Sequence, residues 1–182
     1  MRIIHLADIH WRGLSRHKEY RESFSRFFDK ARMLNPDVIY IGGDIVHNKT
    51  QGISPELIDC LCWWFTGLSD IAPTHVILGN HDGLMLNNDR QDAISPIISA
   101  LKNPNIHLYK KSGVYPVKNH EDFNWCVFSC FDEPGWSSVR PQKNKINIAL
   151  FHGAVWGSKT DIDFSIEGDV TDDFLINSIS LF

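Results

Sequence analysis

The stretch Gly79-Asn80-His81-Asp82 follows directly on the apolar run Thr74-His75-Val76-Ile77-Leu78. A strand that stops abruptly in Asn-His-Asp brings an amide, an imidazole and a carboxylate to one strand terminus. In open α/β sheets, ligands bind just outside the carboxyl ends of the strands. Three further apolar runs end in the same manner. Ile3-Ile4-His5-Leu6-Ala7 leads into Asp8-Ile9-His10, and Val38-Ile39-Tyr40-Ile41 leads into Gly42-Gly43-Asp44. Ile146-Asn147-Ile148-Ala149-Leu150-Phe151 leads into His152-Gly153. Each of the four runs therefore terminates in a side chain able to bind a metal ion.

Helical signals separate the first three runs. Tyr20, Phe24, Phe27, Phe28, Ala31 and Leu34 recur at helical spacing and predict an amphipathic helix over residues 19–34, stopped by Asn35-Pro36. Trp11 to Lys18 before it is a polar loop rich in Arg and His. Residues 47–52 form a second polar loop. Ser54-Pro55-Glu56 then has the marks of a helix start: a capping hydroxyl, proline at the first position and an acid in the first turn. Leu57, Ile58, Leu61, Trp64, Phe65 and Leu68 give that helix its buried stripe, which makes the Trp63-Trp64 pair mainly packing. A short helix is expected from Ser95-Pro96 to Leu101. From about residue 105 the texture changes to short runs with β-type alternation, with turns marked by Pro134-Gly135 and Arg140-Pro141. A βαβαβα half with a parallel sheet is thus followed by a strand-rich half with another sheet. The residues from 158 to 182 read as an acidic tail carrying Asp161, Asp163, Glu167, Asp169, Asp172 and Asp173.

The totals bound the class. With 182 residues, 43% of them hydrophobic, the chain can form one domain with a sizeable core, so disorder is excluded. No run approaches a membrane span, and no charged-then-apolar leader precedes the first strand, so a cytoplasmic protein is expected. Cys60, Cys62, Cys126 and Cys130 form no CxxC pair and are expected to be reduced thiols. A net charge of −4 is not that of a protein holding nucleic acid by bulk electrostatics. Bound divalent cations would offset acidic ligands, however, so an anionic substrate stays open. Arg12, Arg16, Lys18 and Arg21 cluster early, and Arg140, Lys143 and Lys145 late; solvated surface is the simpler reading of both groups.

The strand ends define a chemistry. Asp8 and His10, two apart at a strand end, point to the same face, where a carboxylate and an imidazole suit manganese, iron or zinc. The two oxygens of Asp44 could bridge two ions, Asn80 offers a neutral oxygen, and His152 a second imidazole. Two ions roughly 3.5–4 Å apart form the usual clamp for attack at phosphorus. His81 is placed to donate a hydrogen bond to a phosphoryl oxygen or a proton to the leaving oxygen. Asp82 beside it either holds that imidazole in one tautomer or caps the following turn. Taken singly, each residue has a plainer reading as a turn or cap residue; His5, His75 and His107, inside strands, are read as hydrogen-bonded strand histidines. The plainer reading does not account for four strand ends in one chain.

Asp8-Ile9-His10, Gly43-Asp44, Gly79-Asn80-His81-Asp82 and Phe151-His152-Gly153, in that order, resemble the motifs of the calcineurin-like metallophosphoesterases. The resemblance implies a four-layer α/β/β/α sandwich with a dinuclear site, holding Asp8, His10, Asp44, Asn80 and His152 as metal ligands and His81 as the transition-state acid. A narrower resemblance, carried by Trp11-Arg12-Gly13, Gly43-Asp44-Ile45-Val46-His47 and His152-Gly153-Ala154-Val155, is to the phage-like SbcD-type nuclease subunits of DNA double-strand-break repair. It implies that His47 helps position DNA, that the two ions are Mn2+, and that an SMC-like ATPase subunit partners the longer parent; it admits a homodimer. A general phosphoesterase for small phosphate esters shares the core motifs, and a catalytically impaired fragment is the third reading. The family closes its site with a later Gly-His-x-His or Gly-Asp-x-His motif, and no histidine follows His152 here. The expectation is a metallophosphoesterase core over residues 1–157, then the tail of 158–182 leading into an absent C-terminal part of the same domain.

Overall fold

The structure, a computed structural model, describes residues 1–47, 53–87, 90–159, 163, 165–168 and 170. The chain forms two compact units, Met1–Tyr109 and Lys110–Phe182. The expected Asn48–Gly52 part of the second polar loop and most of the acidic tail, Asp161, Asp169, Asp172 and Asp173 included, lie outside the described residues.

The first unit is a four-stranded, all-parallel sheet in the order β1-β2-β3-β4, made of Ile3–Leu6, Val38–Ile41, Thr74–Ile77 and Ile106–Tyr109. Its crossovers carry α1 (His17–Leu34), α2 (Pro55–Ser69) and α3 (Ser95–Leu101). This is the mixed α/β architecture expected from the alternation of apolar runs and helical patterns. β2 and β3 are buried at every position, as parallel strands covered on both faces should be. β4 corrects the sequence reading, which grouped it with the strand-rich half: it pairs in parallel with β3. Its alternation reflects a face on which His107 and Tyr109 stack against His75, with ring centroids 4.9 and 5.9 Å away.

The helix boundaries follow their local chemistry. α1 ends as Asn35 turns into the left-handed region, φ 46°, ahead of Pro36. α2 starts where the capping pattern predicts, the Ser54 hydroxyl oxygen accepting the Leu57 N–H at 3.1 Å. α3 begins where Ser95-Pro96 predicts, with Asp92, three residues before Ser95, accepting the N–H groups of Ile94 and Ser95. Gly67 on α2 lets α1 come close, since a Cβ there would lie 2.6 Å from the Phe28 ring.

Trp11 is fully buried instead of belonging to a surface loop. It stacks on Tyr20 at 4.3 Å and Phe24 at 5.7 Å and meets Trp64 edge-on, so α1 and α2 close over one aromatic cluster. Trp63 takes Arg21 over its ring at 4.9 Å.

His75, 2% exposed, accepts or donates a 2.8 Å bond with the Tyr109 hydroxyl. Burial, and then the charge of His107, push its imidazole down to about 4. Between that value and the ordinary 6.5 the unfolded chain binds the extra proton. Stability from this group is therefore complete above pH 6.5 and is lost as pH falls through about 4, at a cost of about 3 kcal/mol. Urea titrations between pH 7 and pH 4 should show His75→Gln with a shallower loss of stability than the wild type. Equal slopes would remove His75 as a source of acid sensitivity.

The second unit is a three-stranded sheet, β5-β6-β7, formed by Gly113–Val117, His120–Phe128 and Ile146–Phe151. β5 and β6 make an antiparallel hairpin turning at Asn119, φ 64°, while β7 runs parallel to β6. That parallel pairing needs a crossover, which contains a 3-10 helix over Glu133–Ser138 where turns were expected. Its Trp136 packs on Phe128 and Phe151 and donates its indole N–H to Ser129 O at 2.8 Å. The four cysteines are free thiols, Cys60 and Cys126 buried and the other two partly so. Among the described residues, no helix is long and apolar enough to cross a membrane.

Candidate metal centre

The segments leaving β1 and β2 stay side by side beyond the sheet. Asp8 N donates to Gly43 O at 3.1 Å, His10 N to Asp44 O at 3.0 Å, and Trp11 N to Ile45 O at 2.8 Å; His47 N then donates to Trp11 O at 2.9 Å. This ladder holds three non-glycine residues in the left-handed region: Asp8 at φ 54°, His10 at 50° and Asp44 at 52°. Such conformations cost on the order of 1–3 kcal/mol each and persist where surrounding structure over-determines them. All three are residues singled out as ligands from the sequence. No sequence signal marks the strain at His10, since asparagine and aspartate, not histidine, tolerate that region best.

The third segment closes from β3. A Cβ on Gly79 would lie 2.2 Å from Asp44 Oδ1 and 2.3 Å from Asp44 N, so only glycine lets the two turns touch. The contact places His81 N on Asp44 Oδ1 at 2.8 Å. Asp44 is thereby fixed by a backbone donor on one oxygen, while Oδ2 faces the imidazoles.

The side chains converge. His10 Nε2 lies 3.6 Å from Asp44 Oδ2 and 3.7 Å from Asp8 Oδ1, and His81 Nε2 lies 4.0 Å from Asp44 Oδ2. One donor atom from each of His10, Asp44 and His81 falls within 4.8 Å of the other two. These separations are too long for hydrogen bonds. They suit ligands facing one another across an ion whose bonds are each about 2.0–2.2 Å. The donor set, carboxylate with imidazole, also suits a divalent transition ion. His10 Nδ1 is buried without a hydrogen-bond partner among the described residues, which leaves Nε2 as the ring's available atom. The His47 ring completes the group, 5.6 Å from His10 and 6.3 Å from His81. Tyr20 on α1 steadies the arrangement by donating its hydroxyl to His10 O at 2.8 Å.

Asp82, expected to hold the His81 imidazole or to cap a turn, is fully buried and binds main-chain donors. Oδ1 accepts the N–H groups of Ile45 and Val46 at 2.9 and 3.0 Å, and Oδ2 that of Gly79 at 2.8 Å. It thus ties the turn after β3 to the segment after β2. Burial pushes its carboxyl up to about 6, with the three N–H donors pulling down and the Asp44 charge adding to the rise. The acceptor that does orient His81 is the main-chain carbonyl of His47, 2.7 Å from Nδ1. A carbonyl only accepts, so Nδ1 carries the proton and Nε2 is the working atom of the ring.

Asp8, His10, Asp44, His47 and His81 are therefore brought together by the first unit. Asn80 sits exposed in the same turn, between Gly79 and His81. His152 follows the carboxyl end of β7 in the second unit and is partly buried.

The model of the calcineurin-like phosphoesterase family matches residues 1–178. The chain belongs to that family. The mixed α/β fold, with its ligand-type residues at the carboxyl ends of parallel strands, agrees with the family's α/β sandwich. Its members are metal-dependent phosphoester hydrolases that bind divalent ions, and His10, Asp44 and His81 form a group of the kind such ions take. The chain is also similar to an uncharacterized protein of Acanthamoeba polyphaga mimivirus, with 39% identity over 181 aligned positions. The match covers 92% of this chain and 13% of that protein, so the chain spans a small part of the relative's length.

Proposed function

We propose that the chain is the catalytic core of a metal-dependent phosphodiesterase acting on DNA, of the repair-nuclease type. The observation that carries this reading is the convergence of Asp8, His10, Asp44 and His81 beyond three parallel strand ends, with His47 beside them. In this reading Asp8, His10, Asp44 and Asn80 are ligands of a centre for divalent ions, taken to be Mn2+. When bound, such ions supply a nucleophile at neutral pH and neutralise charge developing on the phosphoryl oxygens.

The chain's own residues do the rest. Asp44, held through Oδ1 by the His81 N–H, turns Oδ2 toward the imidazoles of the centre. His81, its Nδ1–H donated to His47 O, would in its imidazolium form direct Nε2–H at the reacting phosphate and give that proton to the leaving oxygen, ending as the neutral ring. The His47 ring, on the exposed side of the same group, contacts the DNA strand. An SMC-like ATPase subunit is the proposed partner of the longer protein.

Degradation of DNA in manganese, measured for the wild type and Asp44→Asn, tests the proposal. Asparagine keeps an acceptor for the His81 N–H and tolerates the left-handed conformation, but removes the charge. The expected result is DNA hydrolysis by the wild type and its loss in the variant without a change in melting temperature. Hydrolysis of small phosphodiesters with none of DNA would favour a general phosphoesterase.

A further inference from the structure

We propose that Arg12 is a positioning residue of this site, anchoring the phosphate that flanks the scissile one in a polynucleotide substrate; the inference rests on the DNA-directed reading above.

The backbone around Arg12 is pinned at four successive points. Trp11 N and Trp11 O are both in the ladder with Ile45 and His47. The Arg12 carbonyl bonds to His17 Nε2 at 2.7 Å, and the Gly13 carbonyl accepts the Ser54 hydroxyl at 2.6 Å. The adjoining Trp11 ring is locked in the aromatic core. A side chain rooted in such a segment is pre-organised, so a ligand that engages it pays little for ordering the loop.

The side chain itself is exposed and has no ion-pair partner among the described residues. The other three members of the early basic cluster differ. Arg16 pairs with Glu19 at 2.6 Å, Lys18 with Glu22 at 3.8 Å, and Arg21 with Asp59 at 2.6 Å. Those three fit the solvated-surface reading made from the sequence; Arg12, exposed as well, differs in having no ion pair among the described residues. The segment lies against the site: the Trp11 carbonyl that precedes Arg12 accepts the His47 N–H at 2.9 Å, and the His47 ring is 5.6 Å from that of His10.

A guanidinium rooted in this held segment next to His47, with a fork matched to phosphate oxygens, favours a substrate with a second phosphate next to the reacting one. A chain of nucleotides provides that phosphate, whereas a simple monoester or a small synthetic diester does not. One such contact also lets the protein, acidic overall, hold an anion locally without a broad basic face.

The test is binding, read by fluorescence anisotropy of a labelled single-stranded oligonucleotide with phosphorothioate linkages, in manganese, over a series of salt concentrations. Wild type, Arg12→Ala, Arg12→Gln and Arg12→Lys are compared with Lys18→Ala, which removes one exposed positive charge elsewhere. Arg12→Ala and Arg12→Gln should bind about 5- to 10-fold more weakly, with the slope of log K against log salt shallower by about 0.7–0.9. Arg12→Lys should recover part of the loss, Lys18→Ala should match the wild type, and melting temperatures should be equal throughout. Arg12 variants that bind like the wild type, or no more weakly than Lys18→Ala, would overturn the inference and leave the DNA reading standing. A wild type that binds no oligonucleotide would overturn both.

Discussion

Replacing His81 with alanine is expected to lower turnover by about 10²–10⁴-fold while leaving the metal content of the protein unchanged. The reasoning rests on separating the backbone of this residue from its ring. The main-chain N–H of residue 81 holds Asp44 Oδ1, and alanine retains it, so the carboxylate stays in place. What disappears is the ring whose Nδ1 is fixed by His47 O and whose Nε2 faces the centre. Added imidazole should restore part of the rate, because the cavity left by the ring opens to solvent; a purely structural role would give no such rescue. His81 Nε2 lies 4.0 Å from Asp44 Oδ2, near enough for the opposite assignment to be tested by the same variant. If His81→Ala loses metal together with activity, the residue is a ligand and the division of labour proposed here is wrong.

The second large effect is on stability, and it falls on Asp82. Asp82→Ala leaves the buried N–H groups of Ile45, Val46 and Gly79 without their acceptor. Each unsatisfied group costs about 1–3 kcal/mol, and with some relaxation and water entry the total should be about 3–5 kcal/mol. Asp82→Asn should cost about half as much, since one oxygen can still serve Ile45 and Val46 while the amide opposes the Gly79 N–H. Chemical denaturation of the metal-free protein measures both. The order predicted is wild type above Asn above Ala. A variant as stable as the wild type but inactive would return Asp82 to the catalytic machinery, where the sequence had placed it.

That reassignment shows where sequence reasoning stops. Adjacent residues share a neighbourhood in the sequence, but the His81 ring bonds to His47 O while the Asp82 carboxylate takes the N–H groups of Ile45, Val46 and Gly79. The donors that capture Asp82 come from Ile45 and Val46, more than thirty positions away. The same long-range pairing decides Trp11. Its neighbours are polar, so it reads as loop, yet the ladder to Ile45 and the rings of Tyr20 and Phe24 draw it into the core. β4 was misread for a related reason: its alternation comes from rings stacked across a parallel pair, and alternation alone is also the mark of an antiparallel strand.

What was legible depended on short-range rules. The apolar runs of β1 to β3, the Ser54 cap of α2 and the Asn35-Pro36 stop of α1 are each set by a handful of adjacent residues. The ligand-type residues were legible because a strand end fixes where they must lie, whatever the intervening helices do. The strain at Asp8, His10 and Asp44 was not, for backbone dihedrals at these turns are imposed by the neighbouring segment. Positive φ at Asp8, His10 and Asp44, beyond parallel strand ends, is a backbone feature common at functional sites and supports the proposed metal centre.

The most direct test of the account is manganese content, determined by equilibrium dialysis and elemental analysis on the wild type and Asp44→Asn side by side. The account predicts that the wild type retains manganese, up to the two ions of a phosphodiester clamp. It predicts that Asp44→Asn, still folded, loses at least one of them. Equal metal in the two proteins, or none in a folded wild type, would contradict the assignment of these strand ends as a metal centre.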